Sequence, residues 1–166
     1  NTLSVDDLIL PLFLVGGKKR VENVDAMPGV HRYSVDEILK VVEKVSQKKI
    51  PLIALFPKID SKLKTDDGKE ALNPKGLIPE AIIKIKKEFP NIGIMTDVAL
   101  DPYTTHGQDG LISDDGTVKN DETIEILKEQ SLLYAEMGAD IVAPSDMMDG
   151  RIGVIRNALE NNKHSI

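Results

Sequence analysis

The chain has 166 residues, 41% of them apolar and 29% charged, with a net charge of −6 and no cysteine. That length is enough for one domain with a core. Acidity without a lysine cluster argues against a nucleic-acid partner, and the lack of cysteine excludes disulfides, thiol nucleophiles and thiolate metal sites. No apolar run approaches the roughly 18 residues that span a bilayer, and Asn1 to Asp7 have neither a basic start nor an apolar leader. No membrane partner is expected, and a cytoplasmic location is.

Residues 8–15 form the first apolar run, in which Pro11 favours an edge strand or extended arm over a central strand. Gly16 and Gly17 end it, and Met27-Pro28-Gly29 marks a turn. Ser34 with Glu37 three residues on reads as a capping box. Behind it, Ile38, Leu39, Val41, Val42 and Val45 recur at helical spacing, which predicts a helix to about Lys49.

Residues 50–56 are a short continuous apolar run of buried-strand type. A long polar loop over 57–75 leads to a helix over 78–89, stopped by Pro90-Asn91. A second buried strand over 92–100 and a second long loop over 101–119 follow. Asn120 or Asp121 caps a helix that ends at Gly138, residues 140–144 form a third strand, and a last helix runs from about Arg151 to Glu160. Alternating apolar strands and helices are the signature of βαβ units and a parallel sheet. The two long loops both follow strand C-termini, where α/β folds place their sites.

Asp97 falls inside an otherwise apolar strand. A buried carboxylate is costly unless paired or hydrogen-bonded, so Asp97 is expected to have a partner and a role. Asp101 and Asp109 flank a loop that also holds His106. Two readings stand for this pair: a solvated Asp-rich turn, or part of a group that binds a hard cation or moves protons. His106, before a glycine in a polar loop, reads as a hydrogen-bonding loop residue. Ser145 and Asp146 sit where a barrel strand delivers catalytic side chains. Asp149 and Arg151 read as a helix cap with an ion pair, Met147 and Met148 as core filling, and Lys58 as a solvated loop lysine. No dinucleotide, phosphate-loop or nucleophile-elbow motif occurs.

Five segments carry a resemblance to a known family. They are Leu10-Pro11-Leu12-Phe13, Met27-Pro28-Gly29-Val30-His31-Arg32, Leu55-Phe56-Pro57, the stretch from Asp97-Val98-Ala99-Leu100-Asp101-Pro102 through Tyr103-Thr104-Thr105-His106-Gly107, and Ala143-Pro144-Ser145-Asp146-Met147-Met148-Asp149-Gly150-Arg151. In this order and over nearly the whole chain, they resemble the 5-aminolevulinate dehydratases, also called porphobilinogen synthases.

The resemblance implies a (β/α)₈ barrel, with an N-terminal arm over 1–33 that helps build a homo-octamer and the first part of the barrel over 34–166. It also implies a lyase of haem biosynthesis that condenses two 5-aminolevulinates through Schiff bases on two lysines. Those lysines lie on later strands, the first in a Met-Ser-Tyr-Ser-Ala-Lys-type motif. The sequence stops at Ile166, just before that motif would begin. About three of eight βα units are therefore expected, and no activity from the segment alone. Many relatives bind a catalytic zinc through three cysteines; the matching positions here are Ala99, Asp101 and Asp109. The resemblance is thus to the zinc-independent branch supported by Mg²⁺ or a monovalent cation such as K⁺ or Na⁺, with Asp101 and Asp109 as contacts to substrate or cation. Asp97 matches an aspartate that assists proton transfer, and Ser145 a serine near a Schiff-base lysine. The alternatives are another Schiff-base barrel of aldolase type, distinguished by the sequence that follows Ile166, and a non-catalytic α/β module, distinguished by its behaviour in sedimentation.

Overall fold

The computed structural model describes residues 2–164. In chain order the elements are β1 (Ile9–Val15), β2 (Val21–Asn23), β3 (His31–Tyr33), α1 (Val35–Gln47), β4 (Leu52–Lys58), α2 (Leu77–Glu88), β5 (Gly93–Val98), α3 (Asn120–Met137), β6 (Ile141–Pro144) and α4 (Arg151–Asn161). The strands form one sheet in the order β2-β3-β1-β4-β5-β6. β1, β4, β5 and β6 run parallel to their neighbours, and β2 with β3 makes an antiparallel flap at one edge. Four βα units are therefore present where about three were expected. The extra one is β1 with α1.

That difference traces to Pro11. A proline cannot donate to a ladder, so it argues for an edge or an arm. Yet β1 pairs with β4 along its whole length, from Ile9 with Leu52 to Val15 with Lys58, and lies inside the sheet. It is tolerated because β3, on the other side, reaches only Phe13 and Leu14, so at Pro11 the strand has a neighbour on one side alone. Three segments of the expected arm, Ile9–Val15, Val21–Asn23 and His31–Tyr33, are thus strands of the sheet.

The helices follow one another across one face. α1 packs on β1 and α2, α2 on β4 and α3, and α3 on β5, β6 and α4. A doubly wound sheet would divide its helices between both faces; this one is singly wound, with the strands of the four βα units, β1, β4, β5 and β6, adjacent in chain order. Period-2 alternation explains the burial. Leu12 and Leu14 on β1, Ile53 and Leu55 on β4, and Ile94, Thr96 and Val98 on β5 point toward the helices and are buried. They meet Ile38 and Val42 of α1, Ile78, Ile82 and Ile85 of α2, and Leu127 of α3 in one core. Each such side chain, Thr96 apart, contributes about 1.5–3 kcal/mol by leaving water. The opposite set, Ile9, Phe13, Phe56, Met95, Asp97 and Ile141, is half-buried or exposed.

The helix starts differ from the expected caps. The Ser34 hydroxyl accepts from Arg20 N at 3.0 Å and donates to Asp36 at 2.7 Å, while Glu37 pairs with Lys40. No capping box forms, because the chain at Arg20 has taken the serine oxygen. α3 begins at Asn120 itself, with Lys119 at the cap position and no side-chain cap; Asn120 is turned to another partner. Gly138 ends α3 in the left-handed conformation, φ 107°, as expected of a helix-terminating glycine. Ser165 and Ile166, next to which the expected lysine motif would begin, lie outside the described residues. Among those described, no helix is long and apolar enough to cross a membrane.

Candidate functional site

At the C-terminal ends of the parallel strands, the uncovered face of the sheet becomes polar. Phe13 on β1 stands opposite Phe56 on β4, their rings 5.6 Å apart. One position beyond the Leu55–Thr96 pair, Asp97 follows in the same row, paired with Ala143 of β6. Alternation along β5 sends Thr96 and Val98 into the helical layer and Asp97 out of it. The odd carboxylate in an apolar strand therefore lies on the open face rather than in the core. A cleft of about 370 Å³ opens there, and Asp97 and Asp101 form its acidic wall. Arg32, Lys64, Phe13 and Phe56 line the rest.

Asp97 has the partner its position requires: the Ser145 hydroxyl, at the end of β6, donates to Oδ1 at 2.6 Å. Burial pushes the Asp97 carboxyl above its ordinary value; the Ser145 hydrogen bond pulls it back, and the charges of Asp109 and Asp146 push it up again. Asp101 is exposed at the cleft mouth. Its carboxyl is raised as well, first by the desolvating walls and then by Asp109 and Asp97. The charge of Asp109 thus opposes ionisation of both Asp97 and Asp101. A cation entering the cleft would relieve that repulsion.

Among the described residues, no three histidine, aspartate or glutamate side chains converge as a metal-ligand set. Alanine at 99 is buried, and its carbonyl accepts from Gln130, so that position offers no side-chain ligand.

The long loops are stitched together. Thr65 N donates to Tyr103 O and Thr105 N to Thr65 O, both at 3.2 Å, and the Thr105 hydroxyl bonds Asp66. His106 belongs to this seam. Its Nδ1 accepts from Gln108 N, which leaves Nε2 to donate to Asp66 O at 3.2 Å. It is the hydrogen-bonding loop residue the sequence suggested. Beneath the second loop lies a polar cluster that sequence reading missed: the Tyr103 and Tyr134 hydroxyls are 2.8 Å apart, and Gln130 Nε2 donates to Tyr134 at 3.0 Å. Burial drives the Tyr134 phenol to about 12 and Tyr103 well above its ordinary value. The available signal was the helical i, i+4 spacing of Gln130 and Tyr134.

Other expectations divide. Lys58 is solvent-exposed as expected, but it closes β4 instead of lying in a loop and is ion-paired with Glu22 of β2 at 3.1 Å. Met148 is 6% exposed and fills core, but Met147 is 81% exposed. Asp149 does not cap α4: Gly150 holds that place at φ 84°. Arg151 pairs instead with the buried Asp146, Nε to Oδ2 at 3.0 Å. Arg32 and Lys64 were not singled out by sequence, since nothing local sets a cleft-lining cation apart from a solvated one.

The whole chain, residues 1–166, matches the family model described as delta-aminolevulinic acid dehydratase. A delta-aminolevulinic acid dehydratase of Bradyrhizobium diazoefficiens is 52% identical over 160 residues, covering 96% of this chain and 45% of the relative. One from Chlamydia pneumoniae is 46% identical, covering 98% and 49%. The crystal structure of the Toxoplasma gondii ME49 enzyme, in complex with its reaction product porphobilinogen, superposes with a TM-score of 0.95 at 40% identity, covering 98% of this chain and 46% of that one. The chain spans a little under half the length of these relatives.

Proposed function

The chain belongs to the delta-aminolevulinic acid dehydratase family, and on that premise we propose that it supplies the first four βα units of a porphobilinogen synthase, the lyase that condenses two 5-aminolevulinates to porphobilinogen with loss of two waters. Family membership argues against an aldolase-type barrel of separate descent. Single winding supports closure as a barrel, since further strands would cover the apolar inner face that carries Ile9 and Ile141.

The observation that carries the reading is the Asp97–Ser145 pair at 2.6 Å, on the inner face at the strand ends. A carboxyl raised by burial is nearer the pH at which a proton can be both taken and returned. In this reading Asp97 moves a proton during the condensation, and Ser145 holds its carboxylate toward the cleft. Asp101 and Asp109 face the substrate ammonium, whose charge offsets theirs. The two Schiff-base lysines come from strands beyond this segment. A Mg²⁺, K⁺ or Na⁺ ion near Asp101 and Asp109 would need ligands from outside the described residues. Homo-octamer formation is part of the same proposal and is read by sedimentation of the full-length protein.

The test is a porphobilinogen colour assay on the full-length protein. Asp97→Asn is expected to lower kcat by about 10²-fold or more. Ser145→Ala removes a bond that favours the ionised carboxyl, so the acid limb of the kcat/KM profile should move to higher pH. Near-native turnover by Asp97→Asn would overturn the reading.

A further inference from the structure

We propose that Asn120 is a positioning residue that locks the loop bearing Ser145 and thereby holds the Ser145–Asp97 contact; this rests on the function proposed above for that pair. Asn120 opens α3, at the end of the long loop that carries Asp101 and Asp109. Its side-chain amide grips one residue of the neighbouring loop at both backbone groups: Asp149 N donates to Oδ1 at 2.7 Å, and Nδ2 donates to Asp149 O at 3.2 Å.

The adjoining residue is held from the other side. Met148 N donates to Asp146 Oδ1 at 2.7 Å, and Arg151 Nη1 donates to Met148 O at 2.7 Å. Three side chains therefore occupy all four backbone polar groups of two consecutive loop residues. Water could have solvated those groups in an ordinary surface loop. Instead the fold buries the Asp146 carboxylate against Arg151, an arrangement that costs desolvation energy and is weak evidence for stability. It is better explained by a loop that must adopt one conformation.

What the loop delivers is Ser145. Its backbone N donates to Val98 O at 3.3 Å, beside Asp97, and its hydroxyl completes the arrangement. The loop is also seated against the Asp109 segment: a Cβ on Gly110 would lie 3.1 Å from Met148 Cε. Asn120 thus joins the two loops that hold the acidic wall and its hydroxyl partner, and sets one against the other.

The experiment is a double-mutant comparison in the full-length enzyme, using Asn120→Ala, Ser145→Ala and the pair. Asn120→Ala should lower kcat about tenfold, as small misplacements do, with KM for 5-aminolevulinate changed less than about twofold. It should move the acid limb of the pH profile in the same direction as Ser145→Ala. The double variant should resemble Ser145→Ala alone, because both changes remove one contact. Arg151→Lys, which keeps the charge but loses the fixed two-point geometry, should give a weaker version of the same limb shift and keeps the test available if Asn120→Ala fails to fold. Additive losses, or an unmoved limb in Asn120→Ala while Ser145→Ala moves it, would overturn the clamp alone. A silent Ser145→Ala would overturn the reading of the Asp97 pair and the clamp with it.

Discussion

Replacing Tyr134 by Phe tests whether the loop behind the acidic wall rests on its buried hydroxyl pair. Tyr134 is 1% exposed, Tyr103 4% and Gln130 0%. Deleting the Tyr134 hydroxyl leaves Tyr103 without its partner at 2.8 Å and Gln130 Nε2 with only Ala99 O at 3.3 Å. Gln130 Oε1 is already unpaired. Orphaning one buried polar group costs about 1–3 kcal/mol. Tyr103→Phe should cost less, about 0.5–1.5 kcal/mol, because Tyr134 keeps its bond from Gln130. The double change should fall below the sum, since two phenyl rings leave no orphan between them.

The assay is amide hydrogen exchange at Tyr103 and Thr104, both of which donate to Leu100 O. Loss of about 1–3 kcal/mol from the local opening free energy speeds exchange by about fivefold to about 160-fold. Core amides such as that of Ile53 should be unaffected. Unchanged exchange in Tyr134→Phe, or equal effects of the two single changes, would refute the reasoning.

Asp97→Asn should stabilise the protein at neutral pH while it lowers turnover. The folded chain raises this carboxyl, so its favourable contribution is full below the unfolded value near 3.8 and lost as pH rises through the folded value. The gain in Tm should be present at pH 7 and gone at acid pH; a gain independent of pH would count against a charge effect. Gly110→Ala should destabilise by about 1–3 kcal/mol through overpacking, since the new Cβ meets Val118 Cγ1 at 2.8 Å and Thr123 Oγ1 at 2.9 Å. Urea unfolding unchanged from the parent would contradict this. The Ser113 and Thr117 hydroxyls, with the Thr117 amide, hold the Asp115 carboxyl at about 2. Its stabilising contribution should be complete above 3.8 and disappear as pH falls through about 2. A carboxyl titration by NMR with an ordinary midpoint would exclude it.

Much of the fold was legible because apolar periodicity is local. Three strands, four helices and the parallel arrangement follow from runs such as 50–56 and from the helical spacing of Ile38, Val42 and Val45. Asp97 stood out for the same reason, as a charge within a strand. β1 was misjudged because the rule against proline in central strands assumes neighbours at every position, and only the sheet reveals that β3 stops short of Pro11. The capping box at Ser34 failed because Arg20, 14 residues away, competes for the hydroxyl.

By itself, the sequence determined the alternation of strands and helices, the family motifs and the acidic residues at strand ends, each a matter of residue type and near spacing. Only the tertiary structure decided that Asp97 faces the cleft, that Ser145 reaches it across 48 residues, and that Asn120 binds a backbone segment instead of capping its own helix. Those facts depend on register between strands and on which distant group wins a hydrogen bond. Neither is encoded in any short stretch of chain.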